Sequence, residues 1–210
     1  ACAPFRRLHL CHHNLETIDT TSTTTNKLLL EVCMAAYYEG DLIKTRYTPH
    51  QQKYGDSASQ LCTVLARSFA DIGDIVRGRD LYLGDNRKDR EQRKKLDENL
   101  QKIFKKIYND VTSNSNNKDA LKDRYKDTDN YYQLREDWWT VNRHTVWEAI
   151  TCSDDNKLRD ASYFRPTCNG KEPTKGYCRC NGKKTGANVD PPTYFDYVPQ
   201  YLRWFEEWAE

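Results

Sequence analysis

Eight basic residues in one segment of the chain could bind a polyanion. With the helical period of 3.6 residues, four lysines fall within about 40° of one another: Lys88, Lys95, Lys102 and Lys106. Four further cations widen this basic area: Arg87, Arg93, Lys94 and Lys105. A sulfated glycan carries closely spaced negative charges, so several lysines on one rigid face can bind it together, and salt weakens such binding. These eight residues are therefore the candidate glycan-binding site.

The same segment has two other interpretations. It can be a solvated helix face, in which the interleaved Glu91 and Glu98 form stabilising pairs with cations one turn away. It can also be a nucleic-acid-binding helix. A net charge of only +2, the many cysteines and the lack of a known nucleic-acid module argue against nucleic acid as a partner. A second and weaker basic candidate is the pair Lys183 and Lys184.

A protein receptor is the alternative ligand. An exposed aromatic patch near Tyr131, Tyr132 or Trp204 could bind one. In a chain with so few aliphatic residues, such aromatics belong more often to the core. Receptor binding of this kind would survive salt and heparin competition, whereas glycan binding would not.

The cysteines favour a chain braced by disulfides in an oxidising compartment. Eight is an even number, and they lie at Cys2, Cys11, Cys33, Cys62, Cys152, Cys168, Cys178 and Cys180. Zinc is the alternative, but it needs two paired ligand clusters, and the only tight pair is Cys178 and Cys180. The pattern predicts disulfides at these positions without fixing which cysteines pair.

No catalytic constellation stands out in the sequence. His12, His13 and His144 have no nucleophile at a recognisable spacing, and neither a glycine-rich phosphate loop nor an HExxH motif is present. We therefore expect a protein that is not an enzyme and that uses no cofactor and no metal.

Length and composition indicate one large domain or two packed subdomains with a very polar surface. The chain has 210 residues, 30% of them charged, and its mean hydropathy is −0.97. No apolar run approaches the roughly 20 residues needed to cross a bilayer. The chain opens without Met or a signal peptide and closes inside an apparent helix. We expect a piece of a longer protein whose targeting or anchoring segments lie elsewhere.

Hydrophobic periodicity predicts the helices that would position these residues. The central one is Leu134 to Cys152, because its three tryptophans lie on two sides and it should be surrounded. Asn26 to Tyr38 is predicted as a buried helix that ends near Gly40, and Thr45 to Gly55, with Pro49, as a connector.

Two more helices follow from apolar spacings of three and four. A capping-box pattern at Ser57 to Gln60 precedes a helix that should end by Gly78. Its interior Gly73 either costs stability or allows a close helix crossing. Lys88 to Asp110 is the cleanest amphipathic helix, with one apolar face formed by Leu96, Leu100, Ile103, Phe104 and Ile107.

The remaining elements complete an all-α, disulfide-braced helical bundle with long loops. A short charged helix is predicted at Asp119 to Lys126. Ser153 to Pro192 is irregular and has too little apolar content to pack without its cysteines. Pro199 suits a first helical position, and a final apolar stripe follows: Tyr194, Val198, Tyr201, Phe205 and Trp208.

Long tracts of the sequence closely resemble one family, in its order. They are ACAPFRRLHLC, LLLEVCMAAYYEG, QLCTVLARSFADIGDIVRGRDLYLG, LREDWWTVNRHTVWEAITC, YFRPTC and PPTYFDYVPQYLRWFEEWAE. The family is the Duffy-binding-like α domain of the malaria parasite's variant erythrocyte membrane protein family. Lys88 to Tyr131 and Asn169 to Asp190 resemble its variable regions.

The resemblance implies a host-cell adhesion module displayed on the extracellular face of the infected erythrocyte. It implies cytoadherence or rosetting through heparan-sulfate-like or blood-group glycans, or through a protein receptor on erythrocytes or endothelium. It also implies antigenic variation, with host antibodies as further partners. It also implies an incomplete Duffy-binding-like fold: residues 1–50 belong to the first subdomain, 51–210 form the second, and a third lies after Glu210. Membrane attachment would come only from segments outside this chain.

Overall fold

The computed structural model describes residues 2–11, 15–20, 24–54, 58–113, 117–152, 156–182 and 190–209, and the regular structure in these ranges is helical. The helices are α1 (Phe5–Leu8), α2 (Thr25–Tyr54), α3 (Ala58–Arg77), α4 (Arg87–Ser113), α5 (Lys118–Arg124), α6 (Tyr132–Ile150) and α7 (Gln200–Ala209). A 3₁₀ turn, Phe195–Tyr197, precedes α7. These ranges contain no β-strand, which confirms the predicted all-α class.

Helix α6 is the centre of the core, as its tryptophans predict. The rings of Trp139 and Trp147 pack on Phe69 of α3, with centroids 5.1 and 5.2 Å apart. On another side of α6, Trp138 meets Phe104 of α4 at 6.2 Å. The indole N–H groups of Trp139 and Trp147 both have hydrogen-bond acceptors: Trp139 donates to Asp196, and Trp147 donates to the carbonyl of Cys178.

Helix α2 is much longer than predicted. It continues through Gly40 and Pro49 to Tyr54, so the predicted stop near Gly40 and the connector over residues 45–54 are wrong. Gly40 has a different purpose. A Cβ there would lie 2.0 Å from the carbonyl oxygen of Ile150, so glycine lets α2 press directly on the end of α6. The same helix runs across residue 50, and the division into subdomains at that point stays a prediction.

Helix α3 confirms its predicted end and explains its interior glycine. Gly78 follows the last helical residue with φ +72°, the left-handed conformation that commonly ends a helix. A Cβ at Gly73 would lie 2.7 Å from the indole ring of Trp139, so the glycine permits the close crossing of α3 and α6. Ser57, the first residue of the predicted capping box, lies outside the described residues.

Two disulfides brace the irregular segment after α6, as predicted. Cys62 of α3 is bonded to Cys178, and Cys168 is bonded to Cys180. The other four predicted disulfide cysteines belong to neither bond, and for them the role stays a prediction: Cys2, Cys11, Cys33 and Cys152. Burial and the nearby charge of Glu148 raise the pKa of Cys33 to about 11, which keeps its thiol protonated.

A buried network of ion pairs joins α1, α3 and α7. Asp71 on α3 accepts hydrogen bonds from Arg6 at 2.8 Å and from Arg203 at 2.7 Å. Asp74, one turn later, accepts from Arg77 at 2.7 Å and also from Arg203. Burial alone would raise the pKa of Asp71, but the charges of Arg6 and Arg203 outweigh it and lower that pKa.

The second part of the network fixes the segment before α7. Asp196 accepts from Arg143 of α6 at 2.7 and 2.8 Å and from the indole of Trp139 at 2.9 Å. Arg77 donates to the Asp196 carbonyl, and so connects the two parts. Helix α7 therefore turns Arg203 and Trp204 inward. The face predicted as its apolar stripe is largely exposed, because the side of α7 that faces the protein is the one that carries Arg203 and Trp204.

We predict that Gly40→Ala lowers the free energy of unfolding by more than about 2 kcal/mol, because the added methyl group collides with Ile150. Intrinsic propensity alone would favour alanine in a helix by about 1 kcal/mol, so the sign of the change is diagnostic. Urea denaturation measures it. Asp41→Ala, at the exposed neighbouring position, is the control. An unchanged or higher stability of Gly40→Ala would show that α2 and α6 are not in contact there.

We also predict that Arg203→Met costs about 3–5 kcal/mol, since it leaves Asp71 and Asp74 short of a positive partner inside the protein. The matched control is Arg87→Met, whose ion pair with Glu91 is exposed and should contribute less than about 1 kcal/mol. Equal stability of the two variants in urea would contradict a structural role for the network.

Candidate polyanion-binding surface

Helix α4 presents the candidate site and is anchored by its opposite face. It spans Arg87–Ser113, slightly longer than the predicted Lys88 to Asp110. The five predicted apolar residues are all buried, which confirms the orientation of the helix. Phe104 contacts Trp138 of α6 edge-on, and Asn99 donates to the Glu16 carbonyl at 2.9 Å. The outer face of α4 is therefore held on a rigid support.

Three of the candidate lysines form one exposed row, which we call the lysine row: Lys88, Lys95 and Lys102. Within the described residues none of them has an ion-pair partner. They are seven residues apart, so at 1.5 Å per residue the row is about 21 Å long. Ammonium groups in such a row keep their charge and their hydrogen-bond donors available for a ligand.

Lys106, the fourth member of the predicted stripe, has a structural partner. It is half-buried, and its ammonium group donates to the backbone carbonyl of Thr20, in the segment that leads to α2. That bond joins α4 to a segment 86 residues away in the sequence. The structure thus separates Lys106 from the lysine row, although the helical period places them together.

The other four predicted cations do not widen the row into one patch. Arg93 lies about 140–180° around the helix from the row and Lys94 about 80–120°, and both line a pocket on the far edge of α4. Arg93 is half-buried against the ring of Tyr82, and burial, with the charge of Arg7, lowers its pKa. Arg87 pairs with Glu91 at 2.9 Å, while Lys105 is exposed on the ridge between the two edges.

The aromatic candidates divide between core and surface. Tyr131 and Trp204 are buried, and only Tyr132 is substantially exposed. A larger exposed aromatic group lies elsewhere, along α7 and the turn before it: Tyr194, Tyr197, Tyr201, Phe205 and Trp208. Sequence periodicity marks these residues as apolar but does not show which side of α7 is covered. Lys183 and Lys184 lie outside the described residues.

The described residues contain no group of three or more His, Cys, Asp or Glu side chains arranged to hold a metal ion. Among the helices of that same part of the chain, none combines the length and the apolar character that a membrane span requires.

The sequence model of the Duffy binding domain matches residues 1–203. Among solved structures, the NTS-DBL1(alpha-1) domain of Plasmodium falciparum membrane protein 1 (PfEMP1), varO strain, is 43% identical with a TM-score of 0.76. The alignment covers 100% of this chain and 43% of that one. A PfEMP1 DBLβ domain bound to ICAM-1 is 33% identical with a TM-score of 0.69, and the coverages are 100% and 44%.

A more distant structure shares the fold. The P. falciparum erythrocyte binding antigen 140 is 23% identical with a TM-score of 0.57, and the coverages are 98% and 24%. No curated protein sequence matches the chain. The chain spans less than half the length of the solved PfEMP1 domains that it matches.

Lys106 and the lysine row should differ in their effect on stability. We predict that Lys106→Ala lowers the free energy of unfolding by about 1 kcal/mol, through loss of the bond to Thr20. Lys102→Ala, one turn earlier and exposed, should change it by less than about 0.5 kcal/mol. Urea denaturation of both variants makes the comparison. Equal effects would show that the bond from Lys106 to Thr20 does not stabilise the fold.

Proposed function

The chain belongs to the Duffy binding domain family, and from this premise we propose that it is an adhesion module of a malaria parasite surface antigen. Its job would be to attach the infected erythrocyte to other host cells, from the outer face of the erythrocyte membrane. Support comes from the match over residues 1–203 and from PfEMP1 domains at 33–43% identity, one of them solved with a host receptor bound. The expectation that the domain is not an enzyme agrees with this role.

The ligand that we propose is a sulfated, heparan-sulfate-like glycan bound by the lysine row. The observation that carries this proposal is the set of three exposed lysines, without ion-pair partners in the described residues, along one rigid helix. A linear polyanion laid along α4 would meet all three ammonium groups at once. Because the helix is already fixed by its buried face, little backbone entropy is lost on binding. Rosetting and cytoadherence would follow from such glycans on red cells or endothelium.

A protein receptor is the second candidate, and one observation favours it specifically. A PfEMP1 DBLβ domain that is 33% identical to this chain was solved bound to ICAM-1. The exposed aromatic side chains along α7 are of the type that dominates protein interfaces. Binding through them would bury apolar surface and would be insensitive to salt.

The proposed role also fits the contrast between the buried charges, which form ion pairs that hold the fold together, and the exposed charges of the lysine row, which do not. Residues of the lysine row touch nothing that the fold needs, so they can change between variants of the antigen without loss of stability. Host antibodies that recognise this face would then lose their epitope while the core stays the same. Antigenic variation and adhesion would thus use the same exterior of α4.

We predict that replacing Lys88, Lys95 and Lys102 together with Ser weakens heparin binding by about tenfold to a hundredfold, at about 0.5–1 kcal/mol per ion pair. Retention on immobilised heparin, eluted with a salt gradient, measures the change. The control replaces Lys118, Lys122 and Lys126, three exposed lysines of and beside α5, with Ser, and alters the net charge equally.

The two triple variants separate site-specific binding from bulk charge. Glycan binding by the row requires that the first variant elute at clearly lower salt than the second. Co-elution of the two would refute the assignment. Adhesion to red cells that persists in the first variant, and in the presence of soluble heparin, would favour the protein receptor instead.

A further inference from the structure

The buried face that fixes α4 begins only at Leu96. Within the described residues, the helix has no buried side chain before that position. A pocket of about 410 Å³ lies between the start of α4 and the end of α3. The first third of the helix, residues 87–95, is therefore not held by the hydrophobic core. This part carries Lys88 and Lys95, two of the three members of the lysine row, and it needs another attachment.

The loop at residues 79–86, which joins α3 to α4, fixes the first turn of the helix. The side-chain oxygen of Asn86 accepts a hydrogen bond from the N–H of Asp89 at 3.0 Å and so caps the helix. Gly84 has φ +100°, and a Cβ there would lie 2.6 Å from the backbone nitrogen of Arg90. The Nε of Arg90 also donates a long bond, 3.4 Å, to the Gly84 carbonyl. The helix thus begins at a fixed place on the loop.

One turn further along, Arg93 attaches α4 to Tyr82 of the same loop. Its guanidinium lies over the tyrosine ring, 5.4 Å from the centroid, and Tyr82 is only 8% exposed. A cation is attracted to the face of an aromatic ring, more strongly where water is excluded. Burial lowers the pKa of Arg93, and the charge of Arg7 lowers it further. The carboxylates of Asp80 and Glu16 act in the opposite direction and stabilise the guanidinium charge.

Tyr82 is held in turn by α1 and α7. Arg7 of α1, which is fully buried, lies over the Tyr82 ring at 4.9 Å and forms an ion pair with Asp80. Asp80 also accepts from the side chain of Gln200 on α7 at 2.9 Å, and the N–H of Leu81 donates to Gln200 at 2.7 Å. The loop is therefore fastened to both helices, and it presents α4 with a ring whose position is already set.

From this arrangement we infer that Tyr82 and Arg93 are positioning residues for the proposed glycan site, because they hold Lys88 in line with the rest of the lysine row. This inference rests on the proposed function. Arg93 lies about 140° around the helix from Lys88, so its own side chain would not touch the glycan. A row that is rigid before binding loses less conformational entropy when it binds. Lys102 does not depend on this contact, because buried Phe104 and its neighbours anchor that part of α4.

The test is a double-mutant cycle in which fluorescence anisotropy measures binding of a labelled heparin octasaccharide to the 210-residue chain. Lys88→Ser and Tyr82→Leu should each weaken binding by about threefold, the effect of one exposed ion pair. The variant with both changes should bind about as weakly as either single variant, because a lysine on a loosened turn has little contribution left to lose. Tyr82→Leu combined with Lys102→Ser should instead show the product of the two effects, about ninefold.

A second set of variants separates the contact from the charge and from the fold. Arg93→Met should behave like Tyr82→Leu, whereas Lys94→Met, which removes an exposed cation from the next position, should change the affinity by less than about twofold. Tyr82→Phe keeps the ring and should keep the affinity within about twofold. Without heparin, amide hydrogen exchange at residues 87–95 should become faster in Tyr82→Leu and Arg93→Met, and exchange at residues 99–107 should stay unchanged.

Two results would overturn the inference. One is a multiplicative loss of affinity in the Tyr82→Leu/Lys88→Ser variant. The other is unchanged exchange at residues 87–95 in both Tyr82→Leu and Arg93→Met. Failure of the proposed function gives a different result, namely faster exchange at residues 87–95 together with an affinity for heparin that does not respond to Lys88→Ser. The glycan assignment, and the role of Tyr82 in it, would then be refuted, while the attachment of α4 to Tyr82 would stand.

Discussion

Two buried aspartates on α3 impose the arrangement on which the rest of this structure depends. Asp71 and Asp74 are carboxyl groups in a place where an unpaired ion costs several kcal/mol. The fold answers with arginines from both ends of the chain, Arg6 from α1 and Arg203 from α7. Segments that are nearly 200 residues apart must therefore meet α3 at one place. Few hydrophobic contacts are so selective about position, because a displaced guanidinium leaves a carboxylate uncompensated.

This internal network is one of two supports that hold together a chain with so polar a composition. The other is the hydrophobic core, in which the tryptophans of α6 and the apolar face of α4 belong to one cluster. Helix α4 is fixed to this core by Phe104, Leu100 and their buried neighbours. Its outer side chains contribute little to stability. The residues proposed to meet host molecules are thus the ones that the fold can most easily spare.

Much of the fold could be predicted from the sequence, wherever the helical period of the apolar residues is enough to decide which side of a helix is buried. The core position of α6, the apolar face of α4 and the end of α3 at Gly78 were all predicted correctly, because each depends on local spacing. Gly40 was read as a helix stop, since propensity cannot reveal that the carbonyl of Ile150 lies against it. The inward face of α7 was also missed. There, Arg203 is buried by distant aspartates, and hydropathy marks an arginine as exposed.

The cations of α4 show which contacts the helical period can predict and which it cannot. The helical period places Arg93 and Lys94 on a different edge of α4 from Lys88, so the sequence is sufficient to predict that these two cations do not belong to the lysine row. It does not predict the bond from Lys106 to Thr20, because that bond joins parts of the chain that only the tertiary structure brings together.

The central claim is that the fold presents the outer face of α4 as its adhesive surface. The most direct measurement is amide hydrogen exchange of the chain with and without a size-defined heparin oligosaccharide, read by mass spectrometry. The claim predicts added protection confined to peptides that contain Lys88 to Lys105, with no change in α6. Protection centred on α7, with α4 unaffected, would contradict it.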